Sequence, residues 1–229
     1  MTTSGITTGT MTAEEVVQAA MEELGVLSAG ERAEAETLAV GLRALNWMLK
    51  SFSARGVNKW RETSLTITLP ANAASVALPV WVEDVLSARA VVSSTFQRIM
   101  FRYERGQYNQ LPNKLSPGQP VNFYVDRGRD VATLYFWPVP NTATQIILDV
   151  VRVIDDVTDG TQTLDVPTKW LEAVYLGLAA RMAGTMGVTR VDPTTAQNIA
   201  MRAQAFEQIL LDEDRPASIY MGSYDERFF

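Results

Sequence analysis

The chain has 229 residues, a formal net charge of −6 and no cysteine or histidine. Histidine is the commonest general base and metal ligand, so its absence excludes serine triads and histidine-ligated metal centres. The missing cysteines exclude disulfides and thiolate sites. Hydrophobic residues make up 47% of the sequence and charged residues 20%. A chain of this length and composition is expected to fold around a sizeable core without cross-links.

The N-terminal segment has neither the basic region nor the apolar stretch of a signal peptide, and the first basic residue is Arg32. No segment approaches the roughly 18 consecutive apolar residues of a membrane span. We therefore expect a protein that is made in the cytoplasm and has no membrane anchor.

Two helices are predicted near the N-terminus. Thr12 and Glu15 have the spacing of a capping box and predict a helix over residues 13–24. Ser28 and Glu31 repeat this spacing and predict the start of a second helix. Because the link between them is short, the two helices are expected to pack antiparallel. The second helix has apolar residues at alternating spacings of four and three: Leu38, Leu42, Leu45, Leu49 and Phe52.

From about residue 63 the apolar residues alternate with polar ones, which predicts strands rather than helices. The segments 121–125 and 131–137 flank a short link that contains Gly128, and this arrangement predicts a hairpin. Residues 75–78 are a candidate return strand after 65–69. The remaining strand candidates are residues 85–92, 97–103 and 146–153. Together these segments predict an antiparallel β-rich module.

Helical periodicity returns at Pro167, and Asp192-Pro193 predicts the start of a further helix. One face of the first of these helices is apolar, with Leu171, Val174, Tyr175, Leu178, Met182 and Met186. The second places Ile199, Ala203, Phe206 and Leu210 inward.

The C-terminal segment after Pro216 is rich in aromatic residues and methionine, which are enriched at protein interfaces. We interpret it as a docking arm that contacts another protein. The alternative is that it folds back onto its own domain. Its apolar residues are Ile219, Tyr220, Met221, Tyr224, Phe228 and Phe229.

These elements predict an α+β fold: a helical bundle formed by the N- and C-terminal segments, with an inserted antiparallel β-rich module and an extended C-terminal arm. The predicted parts are residues 1–62 (N-terminal helices), 63–156 (β module), 157–215 (C-terminal helices packed on the N-terminal ones) and 216–229 (arm).

Charge is unevenly distributed along the chain. Residues 1–36 contain seven glutamates against Arg32, whereas residues 85–130 contain seven basic residues against three acidic ones. Residues 207–229 contain six acids and two arginines. This pattern indicates either complementary faces that bring subunits together or an ordinary solvated surface.

Candidate chemical sites are weak. The loop 155–160 has Val157 and Val166 at the third and twelfth positions of a would-be EF-hand, so we expect a solvated turn and no bound metal or other cofactor.

The enzymatic alternative is a carboxylate-dependent cell-wall hydrolase, although the adjacent pairs of acids do not face one another on a helix. A DNA-binding subunit is a third hypothesis, from the arginines interleaved with Tyr103, Tyr108 and Phe123.

Several segments occur together in an order that resembles one known family: LSAGE at 27–31, LRALNWMLKSF at 42–52, LYFWPVP at 134–140, VPTKWLEAVYLGLA at 166–179 and SIYMG at 218–222. The sequence resembles the head-to-tail adaptor family of short-tailed bacteriophages, also called tail accessory factors or head-completion proteins. The family often has tryptophan where this chain has Phe52. Residues 89–115 match the family least well.

The resemblance implies a non-enzymatic structural subunit of the virion, located at the head–tail junction. Such proteins form a ring, commonly of twelve copies, beneath the portal protein. Their C-terminal arms run along the portal, and the other face receives the tail tube or nozzle protein. The ring extends the channel, so double-stranded DNA passes through without sequence-specific binding, and it helps retain the packaged genome. Acids of the 14–36 segment are candidates for an acidic lining on which DNA slides.

Overall fold

The computed structural model describes residues 9–54, 59–186 and 190–214. This part of the chain contains five α-helices and seven strands. The helices are α1 (Ala13–Glu23), α2 (Ala35–Ala54), α3 (Arg105–Asn109), α4 (Leu171–Met186) and α5 (Pro193–Asp214). The strands are β1 (Glu62–Leu69), β2 (Ser75–Ala77), β3 (Val82–Val91), β4 (Gln97–Tyr103), β5 (Asn122–Arg127), β6 (Ala132–Trp137) and β7 (Thr144–Arg152).

The first capping box forms as predicted. The Glu15 N–H donates to the Thr12 hydroxyl at 3.3 Å, and the Thr12 N–H donates to the Glu15 carboxylate at 2.7 Å. Gly25 follows α1 with a φ of 69°, a left-handed conformation that ends helices readily. The local sequence therefore defines both ends of α1.

The second capping box does not start a helix, so that prediction was wrong. The Ser28 N–H does donate to the Glu31 carboxylate, at 3.2 Å, but α2 begins only at Ala35. The reason is Gly30, whose φ of 85° lies outside the range that a right-handed helix allows. The apolar stripe of α2 is inward as predicted, with Leu45, Leu49 and Phe52 buried.

The strands form one sheet in the order β1-β7-β3-β4-β5-β6-β2. The predicted hairpin of β5 and β6 is confirmed, and these strands pair antiparallel. The sheet is nevertheless mixed, because β4 and β5 run parallel with Tyr103 opposite Tyr124. The chain between them crosses over through α3 instead of turning back, so it enters β5 in the direction of β4. The predicted antiparallel β-rich module is therefore confirmed, with the parallel β4–β5 pair as an addition that the sequence did not indicate.

The short strand β2 is also placed differently from its prediction as a return strand. It pairs with β6, with Val76 opposite Leu134, and it does not pair with β1. Strand β1 pairs with β7 instead. The link between β1 and β2 is tied to the β6–β7 link, where the Asn72 N–H donates to the Pro140 carbonyl at 2.8 Å. These two edge strands thus lie at opposite ends of the strand order.

Two separate hydrophobic clusters hold the described chain together. One cluster combines α1, α2, α4, α5 and the segment after β7, and its fully buried members include Val16, Leu45, Leu49, Trp170 and Leu178. The other lies on the inner face of the sheet and includes Val85, Ala88, Leu134, Phe136 and Leu148. Helices from both ends of the chain therefore share one core, while the sheet between them has its own. The division into parts at residues 62, 156 and 215 remains a prediction.

The two C-terminal helices begin close to their predicted starts. Pro167 precedes a 3-10 turn, Thr168–Trp170, that leads into α4. Pro193 is the first residue of α5, and the Thr195 N–H donates to the Asp192 carboxylate at 3.0 Å. The inward residues of α5 are confirmed: Ile199, Ala203 and Leu210 are buried, and Phe206 packs against the same cluster.

The junction between the helices and the sheet contains a buried arginine. Arg61 is 1% exposed; it donates to the Arg152 carbonyl at 3.0 Å and forms an ion pair with Glu83. The Arg152 side chain forms an ion pair with Asp165 and lies 5.4 Å from the centre of the Trp60 ring. Because the Arg61 charge is buried, losing its partners would leave an uncompensated buried charge, so this network helps to hold the sheet at the end of the helical core.

The acidic loop 155–160 is largely exposed, as expected of a solvated turn, but one of its residues anchors it to the helices. Val157 is buried against the helical cluster. The Asn46 side chain donates to the Val157 carbonyl at 2.7 Å and accepts from the Val157 N–H at 2.9 Å. Lys50 pairs with Asp156 at 2.9 Å. The side chains of α2 thus hold the loop in place.

Helices α1 and α2 approach closely at Gly41. A Cβ atom at this position would lie 2.5 Å from Cγ1 of Val17, a β-branched side chain with little rotamer freedom. We expect Gly41→Ala to lower the free energy of unfolding by about 1–3 kcal/mol. Urea unfolding would measure this change.

The matched control is Gly184→Ala in α4, where an added Cβ would meet nothing within 4 Å. This variant is expected to gain up to about 1 kcal/mol from helix propensity. If both alanine variants had the same stability change, close packing at Gly41 would not be the cause.

Candidate partner-docking surfaces

The six apolar residues of the predicted docking arm lie outside the described residues, as does all of the chain after residue 214. Their role in docking therefore remains a prediction. The described residues present other surfaces that sequence reasoning did not identify.

The outer face of β4 is apolar and exposed. Ile99 is 68% exposed and Phe101 is 69% exposed, while Met100 between them is buried in the sheet core. We call Ile99 and Phe101 the β4 strip. Strand β4 lies in the middle of the strand order, between β3 and β5, so this is not an edge effect. The adjoining hairpin link adds exposed Phe96. Exposed apolar patches of this kind are typical of interaction sites.

The neighbouring outer face of β5 and β6 is covered. Tyr108 of α3 stacks on Tyr124 with ring centres 5.1 Å apart and lies 5.4 Å from Tyr135. Lys114, in the link after α3, lies 5.0 Å from the centre of the Tyr108 ring. Helix α3 therefore shields the tyrosines of β5 and β6 but leaves the β4 strip open beside them.

Residues 97–103 were correctly predicted as a strand, but the sequence could not show which face would be covered. Coverage depends on where α3 and the other strands lie, and these positions are not encoded locally. The exposed strip was therefore missed. The only signal in the sequence is that apolar residues occupy both faces of β4.

Two arginines near the strip are held by Asp84. Arg102 donates to the Asp84 carboxylate at 3.0 Å, and Arg127 pairs with the same group. Burial acts to raise the pKa of Asp84, but the hydrogen bonds from Arg102 and then Arg127 outweigh it. The pKa of Asp84 is therefore lower than its ordinary value of 3.8.

This lowered pKa predicts a pH dependence of folding. A carboxylate whose pKa is lower in the folded protein than in the unfolded chain stabilises the fold. This stabilisation is complete at pH values above the pKa in the unfolded chain, and it is lost as the pH falls through the pKa in the folded protein. We expect Asp84→Asn to be less stable than wild type at neutral pH, with a difference that narrows below pH ~4. Asp130→Asn, at an exposed carboxylate, is the control. Chemical unfolding between pH 7 and pH 2 measures the difference in unfolding free energy between wild type and Asp84→Asn. A difference that stayed constant with pH would contradict the lowered pKa of Asp84.

A second carboxylate organises the outer face beside the strip. Asp149 of β7 accepts from the hydroxyls of Ser64 and Ser87 and from Arg89, the last at 3.0 Å. The hydrogen bond from Ser87 is the main reason that the pKa of Asp149 is lowered. These polar contacts cover β1, β7 and β3, so the apolar part of the outer face is concentrated at β4.

A second surface, on α2, has the exposed Trp47 and the half-buried Val40. Val40 and Trp47 are separated by seven residues and face the same way on a helix, together with Glu36 and Arg43. Trp47 is 65% exposed. We call these four residues the α2 stripe. They lie opposite the buried residues of α2, so they play no part in the helical core.

Five of the six carboxylates in the adjacent pairs have separate partners, and the sixth, Glu22, is exposed. Glu15 caps α1, and Glu14 accepts from Gln18 at 3.2 Å. Glu23 pairs with Arg202, while Glu83 and Asp84 pair with the arginines described above.

Across residues 9–54, 59–186 and 190–214, no group of three or more acids is placed so that it could hold a metal ion. In the same ranges, no helix has the length and apolar character of a membrane span.

The α+β fold, with its exposed apolar and charged surfaces and separately engaged carboxylates, is typical of a structural protein that acts by binding other proteins. A family model described as SU10 adaptor protein matches residues 11–224. The chain therefore belongs to the SU10 adaptor protein family, a family of phage head–tail adaptors. The family resemblance noted in the sequence is confirmed. No curated protein matches the chain.

Proposed function

We propose that this phage adaptor forms a ring beneath the portal and joins the head to the tail. The observation that carries the proposal is the family match, which extends over residues 11–224. In this role the C-terminal arm binds the portal, and another face of the ring receives the tail tube or nozzle protein. The ring, commonly of twelve copies in this class of protein, extends the DNA channel and helps retain the genome.

Unpaired acids support a channel role. Glu22 and Glu34 are exposed and form no ion pair among the described residues. An acidic lining repels phosphates and releases no counterions on contact with DNA, so it lets DNA slide. The corresponding expectation is that the protein does not retard duplex DNA, even at low salt.

The direct test is co-sedimentation of the full-length protein with rings of the portal protein from the same phage. Stoichiometric recovery with the portal supports the proposal. Recovery only in the supernatant, with folded protein, would contradict portal docking. A turbidity assay on bacterial cell walls separately tests the hydrolase alternative, because a pure adaptor gives no clearing.

A further inference from the structure

The β4 strip has the properties of an interface that is open in the isolated chain. Ile99 and Phe101 are more than two-thirds exposed on a central strand, where apolar side chains are normally covered. Helix α3 covers the adjoining strands but not these two residues. The described residues therefore leave this part of β4 available for a partner.

The surroundings of the strip are positively charged. Residues 85–130 contain seven basic and three acidic residues, although Arg89, Arg102 and Arg127 pair with Asp149 and Asp84 outside this range. Arg105 at the start of α3 and Lys114 in the link after it form no ion pair among the described residues. Contact of this surface with a second copy of itself would bring like charges together, which disfavours a symmetric pairing.

The α2 stripe has complementary properties. It presents Trp47, a residue type that frequently anchors interfaces, and Val40 beside it. Residues 9–54 contain seven glutamates against Arg32, Arg43 and Lys50, and Lys50 is already paired with Asp156. Arg43 is the one basic residue of the stripe. The α1–α2 layer thus has a net negative charge, opposite in sign to that of residues 85–130.

A closed ring of identical chains uses two different surfaces on each subunit, because its contacts run head to tail. We infer that the β4 strip of one copy docks onto the α2 stripe of the next copy, with the basic rim of the strip facing the acidic α1–α2 layer. The inference rests on the proposed ring. In such a ring, the β4 strip and the α2 stripe would each be covered by the other surface on an adjacent copy.

The absence of native cysteine makes a clean cross-linking test possible. The experiment uses full-length chains with Ala39→Cys beside the α2 stripe, with Gln97→Cys beside the β4 strip, or with both, and a short bis-maleimide reagent; both positions are exposed, and Trp47, Ile99 and Phe101 stay in place. Each variant is examined alone and bound to portal rings of the same phage. The matched control replaces Gln97→Cys with Thr66→Cys, an exposed position on β1. Portal co-sedimentation is measured on the same samples, which tests the proposed function independently.

The expected result is a ladder of covalent oligomers from the double variant, no dimers from either single variant, and a monomer band from the control pair. Dimers from Gln97→Cys alone would show that the strip of one copy contacts the strip of another and would overturn the inference. The inference would also be overturned if the double variant bound the portal but formed no cross-links, because the strip would then face the portal, the tail or the chain's own arm. A ladder without portal binding would support the interface while removing the portal-docking role. If neither a ladder nor portal binding were seen, both proposals would fail.

Discussion

A chain that ends at residue 216 is expected to lose its binding to the portal ring while keeping its fold. The deleted segment contains the six apolar arm residues, and interface anchors of this type contribute roughly 2 kcal/mol or more each. Losing several of them should weaken binding by at least about 100-fold. The fold should survive because the helical core is already closed by Ile199, Ala203 and Leu210 of α5.

Co-sedimentation with portal rings measures the first half of this prediction, and thermal unfolding measures the second. We expect the midpoint of unfolding to fall by less than about 4 °C. A full-length control with all six arm residues changed to serine separates the loss of anchors from the loss of chain length. A large fall in the unfolding midpoint would show that the arm belongs to the core of its own subunit.

Trp170→Ala is expected to cause the largest loss of stability among single substitutions. Trp170 is fully buried where the helical core meets the sheet junction, with its ring centre 5.5 Å from Phe52 and 6.4 Å from Trp60. Replacing a buried tryptophan by alanine removes its apolar contacts and leaves a cavity, at a cost of about 3–5 kcal/mol. This is a large share of the 5–15 kcal/mol that is typical of a folded domain, as a rough guide.

Trp170→Phe is the matched control. In the described part of the chain the Trp170 indole N–H has no hydrogen-bond partner, so phenylalanine removes an unsatisfied donor while keeping an aromatic ring beside Phe52. We expect a loss of no more than about 2 kcal/mol. Denaturant unfolding compares the two variants, and equal losses would show that packing volume at this position matters less than its geometry implies.

The elements that could be predicted from the sequence are those defined by near neighbours. The Thr12–Glu15 capping box, the inward face of α5 and the β5–β6 hairpin each depend on residues a few positions apart. The features that were missed or predicted wrongly involve distant pairing or one special backbone angle. The parallel pairing of β4 and β5 depends on a crossover, and the delayed start of α2 depends on the conformation of Gly30.

The candidate interaction surfaces show the same division. The family and its adaptor role were predicted from the resemblance, and the family match confirms them. The β4 strip was not predicted, because alternation shows that Ile99 and Phe101 share a face but not whether another element covers it. Burial of Val157 was missed for a similar reason, since its partner Asn46 is 111 positions away in sequence.

The shared core of the N- and C-terminal helices has a consequence for synthesis of the protein. Helices α1 and α2 leave the ribosome before α4, which completes their core, because the whole sheet is encoded between them. At about 5–20 residues per second, this delay lasts on the order of ten seconds. During that time the apolar faces of α1 and α2 are without their final partner, so the nascent chain is a natural client for ribosome-associated chaperones. Subunits therefore become competent for assembly only after nearly the whole chain has been translated.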